Sequence, residues 1–400
     1  MGSALVQFGL VWWLTQSTGS ATILATATAL AVIPEIIISP FAGAMVDRWN
    51  RRKVIIYSDS LIAIVTLALA ILFIIGKIQV WHIYVTMFIR AVGSAFHYPA
   101  ETASIALMVP ADQLSRIAGL NQALRGVLGI MAPPLGALLL ELSGVHATLA
   151  VDILTALAAV IILLFIQIPQ PENAVETYPG MNFFTTILAD MHAGLRYLLR
   201  WKGAVELIGL AMIFKIALSP AFSLHPLLVS SHFNGGAAEY SLVEAASGVG
   251  VVAGGLLLGI WGGFKRKIFS TLTGIFGIGS CMLLISVLSP HSLTLLVVIT
   301  FFIGVMIPIT DGPMNAIMQT SVAPEFQGRV FTLIGSLVWL TTPLGLAFAG
   351  PLADHFGLQI WYLAAGVLCL LSGAAAFMIP QLVRIEENNR LVSESTKKQK

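Results

Sequence analysis

The stretch Asp47-Arg48-Trp49-Asn50-Arg51-Arg52-Lys53 sets a carboxylate and a cluster of cations between two long apolar runs, residues 21–46 and 54–75. Each run, at about 1.5 Å per residue, is long enough to cross a hydrocarbon core of about 30 Å as a helix. A short basic hairpin between two such helices stays on the cytoplasmic side, because Lys and Arg resist translocation. The hairpin therefore constrains fold, compartment and orientation together, and commits the chain to an all-α integral membrane protein.

Composition agrees. The 400 residues are 57% hydrophobic and 10% charged, against about 25% charged in a soluble domain. Mean hydropathy is +0.91. Apolar runs predict twelve transmembrane helices near 1–14, 21–46, 54–75, 81–108, 117–141, 145–168, 204–230, 239–263, 268–288, 293–320, 328–352 and 359–380. All but four of the 21 Lys and Arg then fall at cytoplasmic ends; the exceptions are Lys77 in an outer loop and Arg90, Arg125 and Lys215 within or near the membrane. A miscounted span would invert the later loops and spoil that separation, so the C-terminus is expected in the cytoplasm. The first run is short, about 21 Å as a helix, and no basic segment precedes it. It reads as the remainder of a truncated helix 1, the alternative being a short span in a thinned bilayer.

The expected organisation is an N-terminal six-helix bundle (1–168), a cytoplasmic linker (169–203), a C-terminal six-helix bundle (204–380) and a cytoplasmic tail (381–400). Pro169, Pro171, Pro179 and Gly180 open the linker. Phe183, Phe184, Ile187, Leu188, Met191, Leu195, Leu198 and Leu199 then recur at helical spacing with Asp190, His192, Arg196 and Arg200 between them. This describes an amphipathic helix, either on the anionic inner leaflet or as a solvated connector. A weak internal repeat relates the halves. Pro99 and Pro110 are spaced like Pro313 and Pro324, and Pro134-Leu-Gly136 matches Pro343-Leu-Gly345. Lys265-Arg266-Lys267 stands where the first half has its basic hairpin. Parallel duplication of a six-helix unit produces such a pattern.

Gly43-Ala-Met-Val-Asp47-Arg48-Trp-Asn-Arg51-Arg52 resembles the loop 2–3 signature of the major facilitator superfamily. Ala132-Pro133-Pro134-Leu135-Gly136-Ala137 resembles its antiporter motif, with Ala replacing Gly at two places. Arg90-Ala-Val-Gly93 resembles the motif that sets an Arg within span 4. Phe96-His-Tyr-Pro-Ala100, Ala118-Gly-Leu-Asn-Gln122 and Pro324-Glu-Phe-Gln-Gly-Arg-Val-Phe331 resemble the macrolide-efflux subgroup of the drug:proton antiporters. The second-half copy of the loop motif, Gly255 to Lys267, lacks its Asp. The resemblance implies two six-helix bundles and a central cavity opening alternately to each side. It implies export of an amphipathic, macrolide-like molecule by proton antiport, from a bacterial-type inner (plasma) membrane. It also implies a monomer among membrane lipids, without cofactor, metal or nucleic acid.

On that resemblance Gly43, Asp47, Arg48, Arg51 and Arg52 form a gating motif, Asp47 latching against the other half. Pro133, Pro134 and Gly136 form the antiporter motif. Arg90 keeps its charge and needs a partner; Glu35, Glu101, Asp59 and Asp311 are those considered. Arg90 either tunes a proton-carrying carboxylate or sits in a permanent ion pair. Glu35 has no charged neighbour in sequence, and Asp311 lies beside Gly312-Pro313, where span 10 is expected to break. Desolvation disfavours a carboxylate's charged form, as proton carriage requires. With Arg90, Glu101 and Asp59 they are the proton-coupling candidates. Lys215 faces a cavity or snorkels. Trp12, Trp13, Phe96, Tyr98, Trp261 and Trp339 either line a drug pocket or anchor helices at the interface. His97 is assigned to helix packing.

Other functions find little support. The chain has no HExxH, no Gly-x-Ser-x-Gly and no GxxxxGK[ST], which disfavours a membrane-embedded enzyme and an ATP-driven pump. Cys281 and Cys369 lie in apolar runs without metal or disulfide spacing. The competing reading on the same fold is a carrier of a siderophore, lipid or metabolite.

Overall fold

A computed structural model describes residues 1–46, 49–110, 113–170, 195–196, 198, 203–322 and 324–386. Asp47, Arg48, most of the expected linker helix and the tail beyond Glu386 lie outside the described residues. The described residues are mostly helical, with no strand among them. Twelve long helices occur among the described residues: α1 Gly2–Thr18, α2 Ala21–Val46, α3 Arg51–Ile74, α4 Val80–Met108, α5 Leu114–Ser143, α6 Val145–Phe165, α7 Ala204–Ser223, α8 Ala237–Trp261, α9 Lys267–Ser286, α10 Leu293–Ser321, α11 Pro324–Phe356 and α12 Leu358–Phe377. Ten are long and apolar enough to cross a membrane. The remaining two are α1, of 17 residues, and α4, which carries Arg90, His97 and Glu101.

Local chemistry sets the helix ends. α1 runs four residues past the expected Leu14, and within that extra turn the Thr15 and Thr18 hydroxyls donate to the carbonyls of Val11 and Leu14. Gly19 then stops it at φ 62°, the left-handed conformation that suits glycine. α10 departs from expectation differently. It continues unbroken through Pro308 and Pro313. Each proline removes one backbone donor, and the helix tolerates that loss within a long packed element.

The chain forms two compact units: Met1–Thr177 with Ser223–Ala245, and Tyr178–Phe222 with Ala246–Lys400. In the first, α2 packs on α4, α3 on α4 and α6, and α1 on α5 and α6. In the second, α9 packs on α10 and α12. Small residues permit close approach. A Cβ on Gly250 would meet the carbonyl of Phe301, one on Gly254 that of Val305, and one on Gly304 that of Ser247. Backbone-to-backbone packing of this kind associates helices where lipid supplies no hydrophobic drive. Outward, Phe165 and Ile260 are 84% and 89% exposed. In water such a surface aggregates, whereas acyl chains solvate it.

The repeat has a packing counterpart. A Cβ on Gly136 of α5 would reach 2.7 Å from the Phe8 ring of α1, and one on Gly345 of α11 would reach 2.8 Å from the Ile216 carbonyl of α7. The two Pro-Leu-Gly copies thus let the fifth helix of each half approach the first.

Candidate functional site

The basic hairpin is tied to helix ends. Asn50 caps α3, accepting from the Lys53 amide at 3.1 Å. Arg52 Nε donates to the Leu163 carbonyl at 2.7 Å and its Nη2 to that of Leu164 at 2.5 Å. Those carbonyls belong to the last turn of α6, which has no intrahelical donors left and carries the negative end of the dipole. Arg51 is buried, donates to the Ala103 carbonyl of α4 at 3.0 Å, and takes the Gln170 side-chain oxygen on its own amide at 3.2 Å. Trp49 stacks on Phe96 at 6.2 Å. A Cβ on Gly43 meets nothing within 4 Å.

Arg90 finds a partner other than the four expected carboxylates. Its Nη1 bonds Asp152 Oδ2 of α6, not Glu35, Asp59, Glu101 or Asp311. Thr66 of α3 lies 3.1 Å from the same oxygen, and Ser3 of α1 donates to Oδ1 at 3.2 Å. Four helices meet on one buried carboxylate. Depth from the outer helix ends was the available signal: Arg90 is the eleventh residue of α4 and Asp152 the eighth of α6, within about one turn of each other.

The other expected carboxylates are dispersed. Asp59 accepts from His97 Nε2 at 3.3 Å, so His97 is bonded as well as packed. Glu101 lies 3.8 Å from Arg125 of α5, whose guanidinium also covers the Tyr98 ring at 5.3 Å. Glu35 is exposed, and among the described residues no hydrogen bond or ion pair reaches it. Of the aromatics, Trp12 is buried and stacks with Tyr240 at 5.7 Å, as does Phe8 at 5.1 Å. Trp13 meets Phe73 edge-on.

The second unit carries Lys215 and Asp311. Lys215 of α7 sets its Nζ 4.0 Å from the centroid of Trp339 on α11. It stays among the helices and does not snorkel. Asp311 of α10 is exposed in the same unit. One turn along α7, Ser219 bonds Thr342 of α11 at 3.2 Å. Among the described residues no group of His, Cys, Asp and Glu is arranged to hold a metal ion.

Comparison with known proteins adds to this geometry. A family model described as transmembrane secretion effector matches residues 1–400. Macrolide efflux protein A of Streptococcus pyogenes is 32% identical over 384 residues, covering 96% of this chain and 94% of that protein. The multidrug efflux pump Tap of Mycolicibacterium fortuitum is 28% identical over 396 residues, with the same coverage of 96% and 94%. Among solved structures a D-xylose–proton symporter superposes with a TM-score of 0.70 at 15% identity, covering 93% of this chain and 94% of the symporter.

Proposed function

We propose, since the chain belongs to the transmembrane secretion effector family of major facilitator transporters, that it exports an amphipathic, macrolide-like molecule by proton antiport through alternating access. The chain is a multi-pass membrane transporter and not an enzyme. The observation that carries the export reading is the near-full-length relationship to an efflux protein. In this reading residues 1–168 and 204–380 are the two bundles, 169–203 the linker, and 381–400 a cytoplasmic tail. The protein works as a monomer in the bacterial plasma membrane, in contact with lipid and without nucleic acid.

The proton carriers of this reading are Glu35 and Asp311. Arg90 leaves that role to them, because its charge is already matched by Asp152 and Thr66. Glu35 has no fixed partner and Asp311 forms no ion pair among the described residues, while Lys215 rests on an aromatic ring. Carboxylates without a permanent ion pair can exchange protons at little structural cost.

The test is uptake of a radiolabelled macrolide into inverted vesicles under an imposed proton gradient. Accumulation that collapses with the gradient is expected, with coupling lost in Glu35→Gln or Asp311→Asn. Gradient-independent accumulation, or full coupling in the double variant, contradicts the mechanism.

A further inference from the structure

On α10 the exposed residues change character along the helix. Leu295, Val298 and Phe302 are exposed and apolar, as a lipid-facing stripe should be. Asp311, Asn315 and Gln319 are exposed, polar and one turn apart, on a side about 130° round the helix from that stripe. A charged and polar stripe within a membrane helix faces water or a polar ligand. Asp311 therefore opens onto a wet face of the second unit. In the same unit Lys215 of α7 sets its ammonium over the ring of Trp339, a residue 49% exposed. The Ser219–Thr342 bond and the Gly345 contact hold α7 against α11 beside it.

An indole face that already carries an ammonium at 4.0 Å makes an arrangement that suits organic cations generally. A lysine ammonium is compact and strongly hydrated, and gains little on an aromatic face. A tertiary or quaternary ammonium sheds less hydration and presents more surface to the indole. We propose that the Trp339 face is an organic-cation subsite, that Lys215 occupies it when no cargo is bound, and that an amphipathic cation displaces Lys215. This names a cargo class for the export reading and rests on it.

The test uses equilibrium binding of radiolabelled tetraphenylphosphonium to the purified full chain, with neutral triphenylphosphine oxide as the matched probe. No gradient is applied, so a failure of export leaves the binding result standing, and the reverse also holds. Lys215→Met is expected to tighten phosphonium binding about tenfold by removing the resident ammonium. Trp339→Leu should weaken it and erase the gain in the double variant. Phosphine oxide binding should stay constant throughout. Unchanged phosphonium affinity in Lys215→Met, a gain that survives Trp339→Leu, or equal changes for both probes overturns the proposal. If Lys215→Met does not fold, Trp339→Leu alone decides: a selective loss of phosphonium supports the subsite, and an equal loss for both probes refutes it.

Discussion

Arg90 and Asp152 form a buried ion pair between α4 and α6, Nη1 to Oδ2 at 2.5 Å, with side chains 12% and 3% exposed. Hydroxyls from α1 and α3 complete the carboxylate's shell. Neutralising one partner strands the other charge at a cost of about 3–5 kcal/mol, whereas replacing both with apolar residues of similar size is often neutral. Asp152→Asn should therefore lower the yield of monodisperse protein in size-exclusion chromatography, and Arg90→Met with Asp152→Leu should recover much of it. A normal yield for Asp152→Asn contradicts the structural role.

The approach of α8 to α10 makes a sharper prediction about shape. Gly254→Val places side-chain atoms in the Val305 carbonyl, while the neighbouring Gly255 opens onto space. Overpacking of this kind costs about 1–3 kcal/mol. Thermal unfolding should show a clear fall for Gly254→Val and almost none for Gly255→Ala. Equal midpoints refute the packing.

Gly136 and Phe8 form a pair whose fault can be repaired. Gly136→Ala should destabilise the first unit, because the new methyl meets the Phe8 ring. Adding Phe8→Leu should restore part of the loss, read as the same melting midpoint. Additive losses in the double variant would argue that the two sites act independently.

Asp47 is predicted from the resemblance alone. Asp47→Asn should abolish most export with membrane abundance unchanged, as expected of a latch on that resemblance. Matched-expression efflux assays decide it; wild-type efflux from the variant ends the gating role.

Helix number and most helix ends were legible in the sequence, because apolar length is a property of single segments. The unbroken α10 was not. Gly312-Pro313 is locally a helix breaker, and tertiary packing at Gly304 and Thr310 holds the helix through it. Nor was Asp152 connected with Arg90. The two are 62 positions apart, and only their matched depth links them. The Lys215–Trp339 contact likewise joins α7 to α11 across 124 positions of sequence, a separation that no local pattern bridges.

The pair of hydrogen bonds from Arg52 to the Leu163 and Leu164 carbonyls changes what the basic hairpin requires. A topology count treats Arg and Lys as equals, since either keeps a loop from crossing the membrane. The end of α6 does not treat them so. Two successive carbonyls are gripped by one planar fork, and a lysine brings a single point of charge. At this position a substitution can therefore preserve the protein's insertion while loosening the end of a helix over a hundred residues away, so geometry narrows the permitted alphabet further than charge does.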